Sequence, residues 1–230
     1  MYIVEGNIGA GKSTFLRLID QTISELKVAY EPMDRWDQRE SGQSLLSKFY
    51  EDPKRWTFSL ETFAMMCRVR DHLKRQKGSP LTIIERSIYS GHYCFAKNGY
   101  LHKFMTEAEW QVYERWFQFL IPNKCDSPLG FIYLKTDPKV SFERVRHRGR
   151  ESERELLYDY LVQINQRHDD FLLNKVDVSS DLMNVPVLVL DCNEDFENNP
   201  VRWEEHAQRV SQFITQTHVA PVPPAISQII

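Results

Sequence analysis

Gly6-Asn7-Ile8-Gly9-Ala10-Gly11-Lys12-Ser13-Thr14 follows directly on the apolar run Tyr2-Ile3-Val4, and together they read as a strand running into a phosphate-binding P-loop. The pattern G-x-x-x-x-G-K-[ST] uses its glycines to let the backbone curl with N–H groups pointing inward, which makes a concave anion site. Lys12 would reach the outer phosphates and the Ser13 hydroxyl is suited to Mg²⁺. The helix that starts there turns the positive end of its dipole toward the anion. Strand, loop and helix in this order imply an α/β fold that handles a nucleoside triphosphate.

Moving outward, four more short apolar segments read as buried parallel strands: Val28–Tyr30, Leu81–Ile84, Phe131–Leu134 and Val187–Leu190. Helical spacing of apolar residues fills the intervals, over 14–26, 44–50, 57–76, 106–121, 137–147, 155–174 and about 200–217. Strands alternating with helices give a parallel sheet covered on both faces. With 230 residues the chain fits one domain, expected over residues 1–218. The ending Ala220-Pro221-Val222-Pro223-Pro224 cannot continue a helix, because its prolines lack N–H groups, so 219–230 reads as a tail.

A net charge of −3 lacks the basic surplus of a duplex-binding protein and favours small ligands. Cys67, Cys94, Cys125 and Cys192 are widely spaced, with no C-x-x-C pair, and read as free thiols of a reducing compartment. No stretch approaches the ~20 apolar residues of a membrane span, and the first strand starts at residue 2. A cytoplasmic location is the expectation.

Ligands of such sheets sit beyond the carboxyl ends of the strands. That rule singles out the P-loop, Glu31-Pro32, Glu85-Arg86-Ser87 and Asp191-Cys192-Asn193. Glu31 is placed to face the γ-phosphate across the cleft and to take a proton from an attacking hydroxyl, although a capping or solvated acid would look the same. Glu85 beside Arg86 suits a Mg²⁺ shell next to a group that neutralises phosphate charge; a structural ion pair is the alternative, weakened because neighbours on a strand point to opposite faces. In Arg144-Val145-Arg146-His147-Arg148-Gly149-Arg150, Arg144 and Arg148 share a helix face, where like charges repel unless an anion lies between them. A phosphate-covering lid over about 144–154 fits this run, as does a solvated basic face.

The P-loop, Glu31-Pro32-Met33-Asp34-Arg35-Trp36, Glu85-Arg86-Ser87-Ile88-Tyr89-Ser90, Arg148-Gly149-Arg150 and Leu190-Asp191-Cys192-Asn193-Glu194-Asp195-Phe196 resemble, in this order, the deoxyribonucleoside kinases. The resemblance implies a five-stranded parallel sheet flanked by helices, an arginine-rich lid, a homodimer, and transfer of the ATP γ-phosphoryl group to a 5′-hydroxyl with Mg²⁺. By the same resemblance Glu31 would be the base, and Arg86 would steady the attacking oxygen and phosphates with Lys12. Glu85 and Ser13 would hold the metal. Tyr50 and Glu153 would grip the sugar 3′-hydroxyl, and Trp36 and Phe95 would line or stack on the nucleobase. Arg144, Arg148 and Arg150 would form the lid, with Asn193, Glu194, Asp195 and Phe196 around the donor base.

Two positions depart from the family pattern. Glu61 stands where most relatives carry glutamine, and an ionised carboxylate only accepts hydrogen bonds. Guanine presents two adjacent donors to such a group, whereas adenine, cytosine and thymine each leave a lone pair facing another, at a cost of about 1–3 kcal/mol. Arg68 follows seven residues later on the same helical face, some 10 Å along the axis, and would donate to the guanine carbonyl. Gly91 replaces an aspartate that pairs with this arginine in purine- and cytosine-accepting relatives. It makes room for thymine's methyl group and is expected to leave Arg68 without that partner. Because hydrogen-bond mismatches at Glu61 outweigh this small steric difference, deoxyguanosine is favoured, with thymidine or broad pyrimidine use as the alternative and other purine or mixed use behind them. A nucleoside monophosphate kinase or a non-catalytic nucleotide-binding regulator are the more distant readings.

Overall fold

A computed structural model describes residues 1–31, 44–76 and 81–218; Trp36 and the proline-rich end lie outside the described residues. Five strands, β1 (Tyr2–Glu5), β2 (Lys27–Ala29), β3 (Thr82–Glu85), β4 (Gly130–Lys135) and β5 (Val187–Asp191), form one sheet in the order β2-β3-β1-β4-β5. All pairings are parallel. The main helices are α1 (Lys12–Thr22), α2 (Leu45–Glu51), α3 (Pro53–Arg75), α4 (Ile88–Ser90), α5 (Lys97–Leu101), α6 (Glu107–Lys124), α7 (Pro138–Arg148), α8 (Tyr158–Leu172), α9 (Ser180–Met183) and α10 (Pro200–His218).

Alternation along the strands splits the core into two layers. Ile3, Ile84, Phe131 and Tyr133 face one side, packed with Met65 and Val69 of α3, Ile88 and Tyr89 of α4, Tyr113 and Phe117 of α6, and Phe171 of α8. Tyr2, Val4, Ile83, Ile132 and Leu134 face the other, packed with Phe15, Leu16 and Ile19 of α1 and Val210 and Phe213 of α10. Burial on both sides explains why the strands read as unbroken apolar runs. It also sets the site. From β1 the chain turns to α1 on one face, and from neighbouring β3 to α4 on the other. The crevice between these two diverging loops is the switch point where ligands of such sheets bind.

Helix ends follow local chemistry. Asp52 caps α3 through the Arg55 N–H and Pro53 fills its first position, so that helix starts four residues earlier than apolar spacing alone suggests. α1 stops at Thr22, short of the expected 26, and Leu26 is buried in the turn to β2. The helical run over 88–101 has no counterpart in the periodicity reading. Its middle, Gly91–Ala96, is a π-helix, and i→i+5 bonding breaks the 3.6-residue spacing on which that reading depends.

Candidate active site

The P-loop leaves β1 in conformations that require glycine. Gly9 has φ 82°, and a Cβ there would collide with the Ser141 carbonyl oxygen of α7. Asn7 ties the loop to α8 by donating to the Leu161 carbonyl oxygen at 2.9 Å and accepts from the Ile8 N–H with its side-chain oxygen. Lys12 donates to the carbonyl oxygens of Gly6 (3.1 Å) and Asn7 (2.7 Å), which holds the ammonium across the loop mouth. Burial, then the neighbouring Arg86 charge, push Lys12 down to about 7 against the pull of Glu85, Glu31 and Glu5. A polyphosphate bound in the loop would add the negative charge that favours its protonated form.

Opposite the loop, the ends of β2 and β3 converge. Ser13 donates to Glu85 Oε1 at 2.7 Å, and the Glu31 N–H donates to Glu85 Oε2 at 3.2 Å. Glu31 accepts from Arg86 Nε at 3.1 Å on one oxygen and from Arg68 Nη2 at 2.7 Å on the other. Burial alone would raise the Glu31 carboxyl. The Arg86 and Arg68 guanidiniums, with Lys12 behind them, outweigh it and hold Glu31 below the usual carboxylate range. Arg86 lies over the Phe95 ring at 4.5 Å, donates to the Gly6 carbonyl oxygen and has φ 59°, a conformation that non-glycine residues rarely adopt. Glu85 and Arg86 therefore serve different partners, Ser13 and the Glu31 N–H for the one and the Glu31 carboxylate for the other.

These groups line one cleft of about 340 Å³, the size of a small-ligand site. Glu61 and Arg68 from α3, Tyr50 from α2, Phe95, and Arg148, Arg150 and Glu153 line it as well. Burial pushes the Glu61 carboxyl up to about 7, against Arg68 and Arg86. Its Oε2 has no hydrogen-bond partner among the described residues. Tyr50 is pushed well up by burial and then by the nearby Glu153 charge. Glu153 accepts from Arg148 Nη2 on both oxygens, at 2.8 and 2.6 Å, with Arg150 Nη1 at 3.6 Å.

Some positions differ from expectation. Gly91 offers Arg68 no acid, as expected, and the guanidinium pairs instead with Glu31, which was not foreseen. A Cβ at Gly91 would stand 2.9 Å from Arg68 Nη1. Arg144 is not among the side chains lining the cleft; it donates to the carbonyl oxygens of Cys192, Asn193 and Glu194 and so braces the loop after β5. In that loop Asp195 accepts from the Glu197 and Asn198 N–H groups, and Phe196 packs on Phe15 and against Gly11. Phe49, Leu60, Ala64 and Tyr160 line the cleft without having been singled out. Ala64 was legible, since 61, 64 and 68 fall on one helical face. Tyr160 lies in no motif.

The donor set also suits Mg²⁺. One hydroxyl and one carboxylate at a P-loop are hard oxygen ligands, and this ion takes few protein groups, completing its shell with phosphate oxygens and water. No cluster of three His, Cys, Asp or Glu side chains competes with it among the described residues.

A family profile described as deoxynucleoside kinase matches residues 2–215. The chain is 38% identical to mitochondrial deoxyguanosine kinase of Xenopus laevis, over 92% of this chain and 88% of that protein. It is 34% identical to deoxycytidine kinase 2 of Gallus gallus and 33% to deoxycytidine kinase of Homo sapiens, over 92% of this chain and 89% and 90% of theirs.

Proposed function

The chain belongs to the deoxynucleoside kinase family, and from that premise we propose how its own cleft carries out the transfer. It is an ATP-dependent phosphotransferase acting on a deoxynucleoside. The P-loop backbone and Lys12 hold the donor's outer phosphates. Glu31 takes the 5′-hydroxyl proton as the 5′-oxygen bonds to the γ-phosphorus, and the bond from that phosphorus to the β–γ bridging oxygen breaks to release ADP. Arg86 holds Glu31 and offers charge to the transferring phosphoryl group. Arg148 and Arg150 cover the phosphates, and Tyr50 with Glu153 grips the 3′-hydroxyl. Ser13 and Glu85 would hold Mg²⁺, which would supply positive charge to offset that developing on the phosphates.

The observation that carries this reading is Glu31 itself: a buried carboxylate fixed by Arg86 in the same cleft as the P-loop lysine. Glu31→Gln keeps the shape and removes the proton acceptor. It should lower turnover ~10²–10⁴-fold while ATP still binds. Loss of ATP binding in parallel, or unchanged turnover, defeats the assignment.

For the base, we favour deoxyguanosine, supported by the unengaged Glu61 Oε2 and by Arg68 in the same cleft. Thymidine is the second reading, favoured by the missing side chain at Gly91. We further infer a homodimer, supported by an apolar face on α3 and α6, where Phe63, Met66, Val112, Trp116 and Phe119 are exposed. A cytosolic site of action accords with the four free thiols, while the Xenopus relative is named as mitochondrial. No helix among the described residues is long and apolar enough to cross a membrane.

A further inference from the structure

We propose that Arg68 is a nucleobase-operated latch on Glu31, occupying one oxygen of the proton acceptor until the carbonyl oxygen of the bound base draws the guanidinium away. The inference rests on the phosphoryl-transfer reading above and deepens it.

The geometry is specific. Arg68 Nη2 is 2.7 Å from Glu31 Oε1 while Arg86 Nε engages Oε2 at 3.1 Å, so each oxygen of the carboxylate carries a charge-assisted hydrogen bond. Both side chains of the Arg68–Glu31 pair are nearly buried, at 12% and 7% exposed, so solvent does not dissolve it. The 5′-hydroxyl proton must go to Glu31, and a guanidinium on Oε1 competes for the lone pairs that would accept it. Arg86 is not the movable partner: its side chain is packed over Phe95, and its backbone is fixed by the N–H to the Val4 carbonyl oxygen.

Arg68 has a second place to go. It shares a cleft-facing side of α3 with Glu61, two turns away, so a base edge that meets Glu61 extends toward the guanidinium. Glu31 and Glu61 are the two carboxylates whose charge acts most on Arg68. On its far side stands Gly91, where a Cβ would touch Nη1 at 2.9 Å but where the native residue offers no acid. A base carbonyl that takes the arginine therefore frees Glu31 Oε1. Phosphoryl transfer follows without a change in composition: the 5′-proton moves to Glu31, the 5′-oxygen–γ-phosphorus bond forms and ADP leaves. Arg68 is thus a positioning residue, and it makes the rate of chemistry, beyond affinity, depend on the base.

The test compares deoxyguanosine with 2-aminopurine 2′-deoxyriboside, which lacks the carbonyl oxygen and with it the N1–H; the Arg68 variant then separates the latch from the weakened pairing to Glu61. Single-turnover transfer rates are measured at saturating nucleoside with ATP and Mg²⁺, so that slow product release does not hide the step. In the unmodified protein the analogue should react about tenfold or more slowly at saturation, beyond any rise in its KM. Arg68→Met should bring the two saturated rates to within about twofold by accelerating the analogue. Gly91→Asp, which offers the arginine a different acid and asks only its flexible end to shift, should do the same. A difference confined to KM in the unmodified protein overturns the latch, as does a rate difference that survives both substitutions. If thymidine is accepted and deoxyguanosine is not, thymidine against 5-methyl-2-pyrimidinone 2′-deoxyriboside is the decisive pair, with the same outcomes. Absence of turnover on every deoxynucleoside would instead sink the transfer reading, a result distinct from failure of the latch.

Discussion

Glu61 is the residue whose chemistry changes most between sequence and structure. Its type suggests a permanent double acceptor, but complete burial raises it to about 7, so both protonation states are accessible near neutral pH. Ionised, it accepts from two neighbouring donors, as guanine offers. Protonated, it has one donor and acceptor capacity, as a glutamine amide has, and matches cytosine or adenine. The preference for deoxyguanosine over deoxycytidine in kcat/KM should therefore rise as pH increases through about 7, and Glu61→Gln should flatten that rise. A preference independent of pH between 6 and 8.5 would remove Glu61 from base reading. The same shift has a stability consequence. A carboxyl raised in the folded state favours folding below its unfolded value near 4.5 and loses that contribution as pH climbs through about 7. Glu61→Gln should then stabilise the free protein by ~3 kcal/mol at pH 8 and by little at pH 5, read from denaturant midpoints at the two pH values.

At the scale of elements, the strands and the P-loop were legible because their signals are local. Buried strands need unbroken apolar runs, and the anion loop needs glycine at positions such as Gly9. The segment after β3 was not legible, since its geometry is fixed by partners distant in sequence. Ser87 accepts from the Tyr89 and Ser90 N–H groups at 3.1 Å and donates to the fully buried Glu5 at 2.5 Å, which joins the start of α4 to the end of β1. This joint holds Arg86 in its uncommon backbone conformation beside Glu31. Burial raises Glu5 against the Arg86 charge and the Ser87 and Ser90 hydroxyls, and its second oxygen has no hydrogen-bond partner among the described residues. Ser87→Ala removes the cap and the short hydrogen bond to buried Glu5, for a combined ~2–4 kcal/mol. Melting should fall by roughly 5–10 °C, and turnover should fall with it as Arg86 loosens. Ser87→Thr keeps the hydroxyl and should retain most of both. Equal damage from Ala and Thr would point to packing at this joint instead of its hydrogen bonds.

For the whole molecule, the proposed pairing would tie assembly to substrate recognition through the two sides of α3. Glu61, Ala64 and Arg68 face the cleft, while Phe63 and Met66 on the same helix are 41% and 61% exposed. Val112, Trp116 and Phe119 extend that apolar face along α6, at the i, i+4, i+7 spacing of a single helical stripe. Apolar stripes on two adjoining helices are what a second copy of the chain would cover, and a symmetric pair buries the same face twice. Sedimentation should therefore report twice the 27.2 kDa chain mass. Trp116→Glu, which places a charge in that face, should return it to a single chain. The residues named in the cleft, from the P-loop to the lid, come from one chain, so the monomeric variant should still transfer phosphate at a rate within a few-fold of the original. What it loses is the support behind α3. Glu61 and Arg68 then read the base from a helix whose outer face is no longer held, and KM for the nucleoside should rise several-fold while KM for ATP, bound at the P-loop on the far side of the cleft, stays constant. A single-chain mass for the unmodified protein would refute the pairing. Parallel rises in both KM values would show that the damage spreads beyond α3.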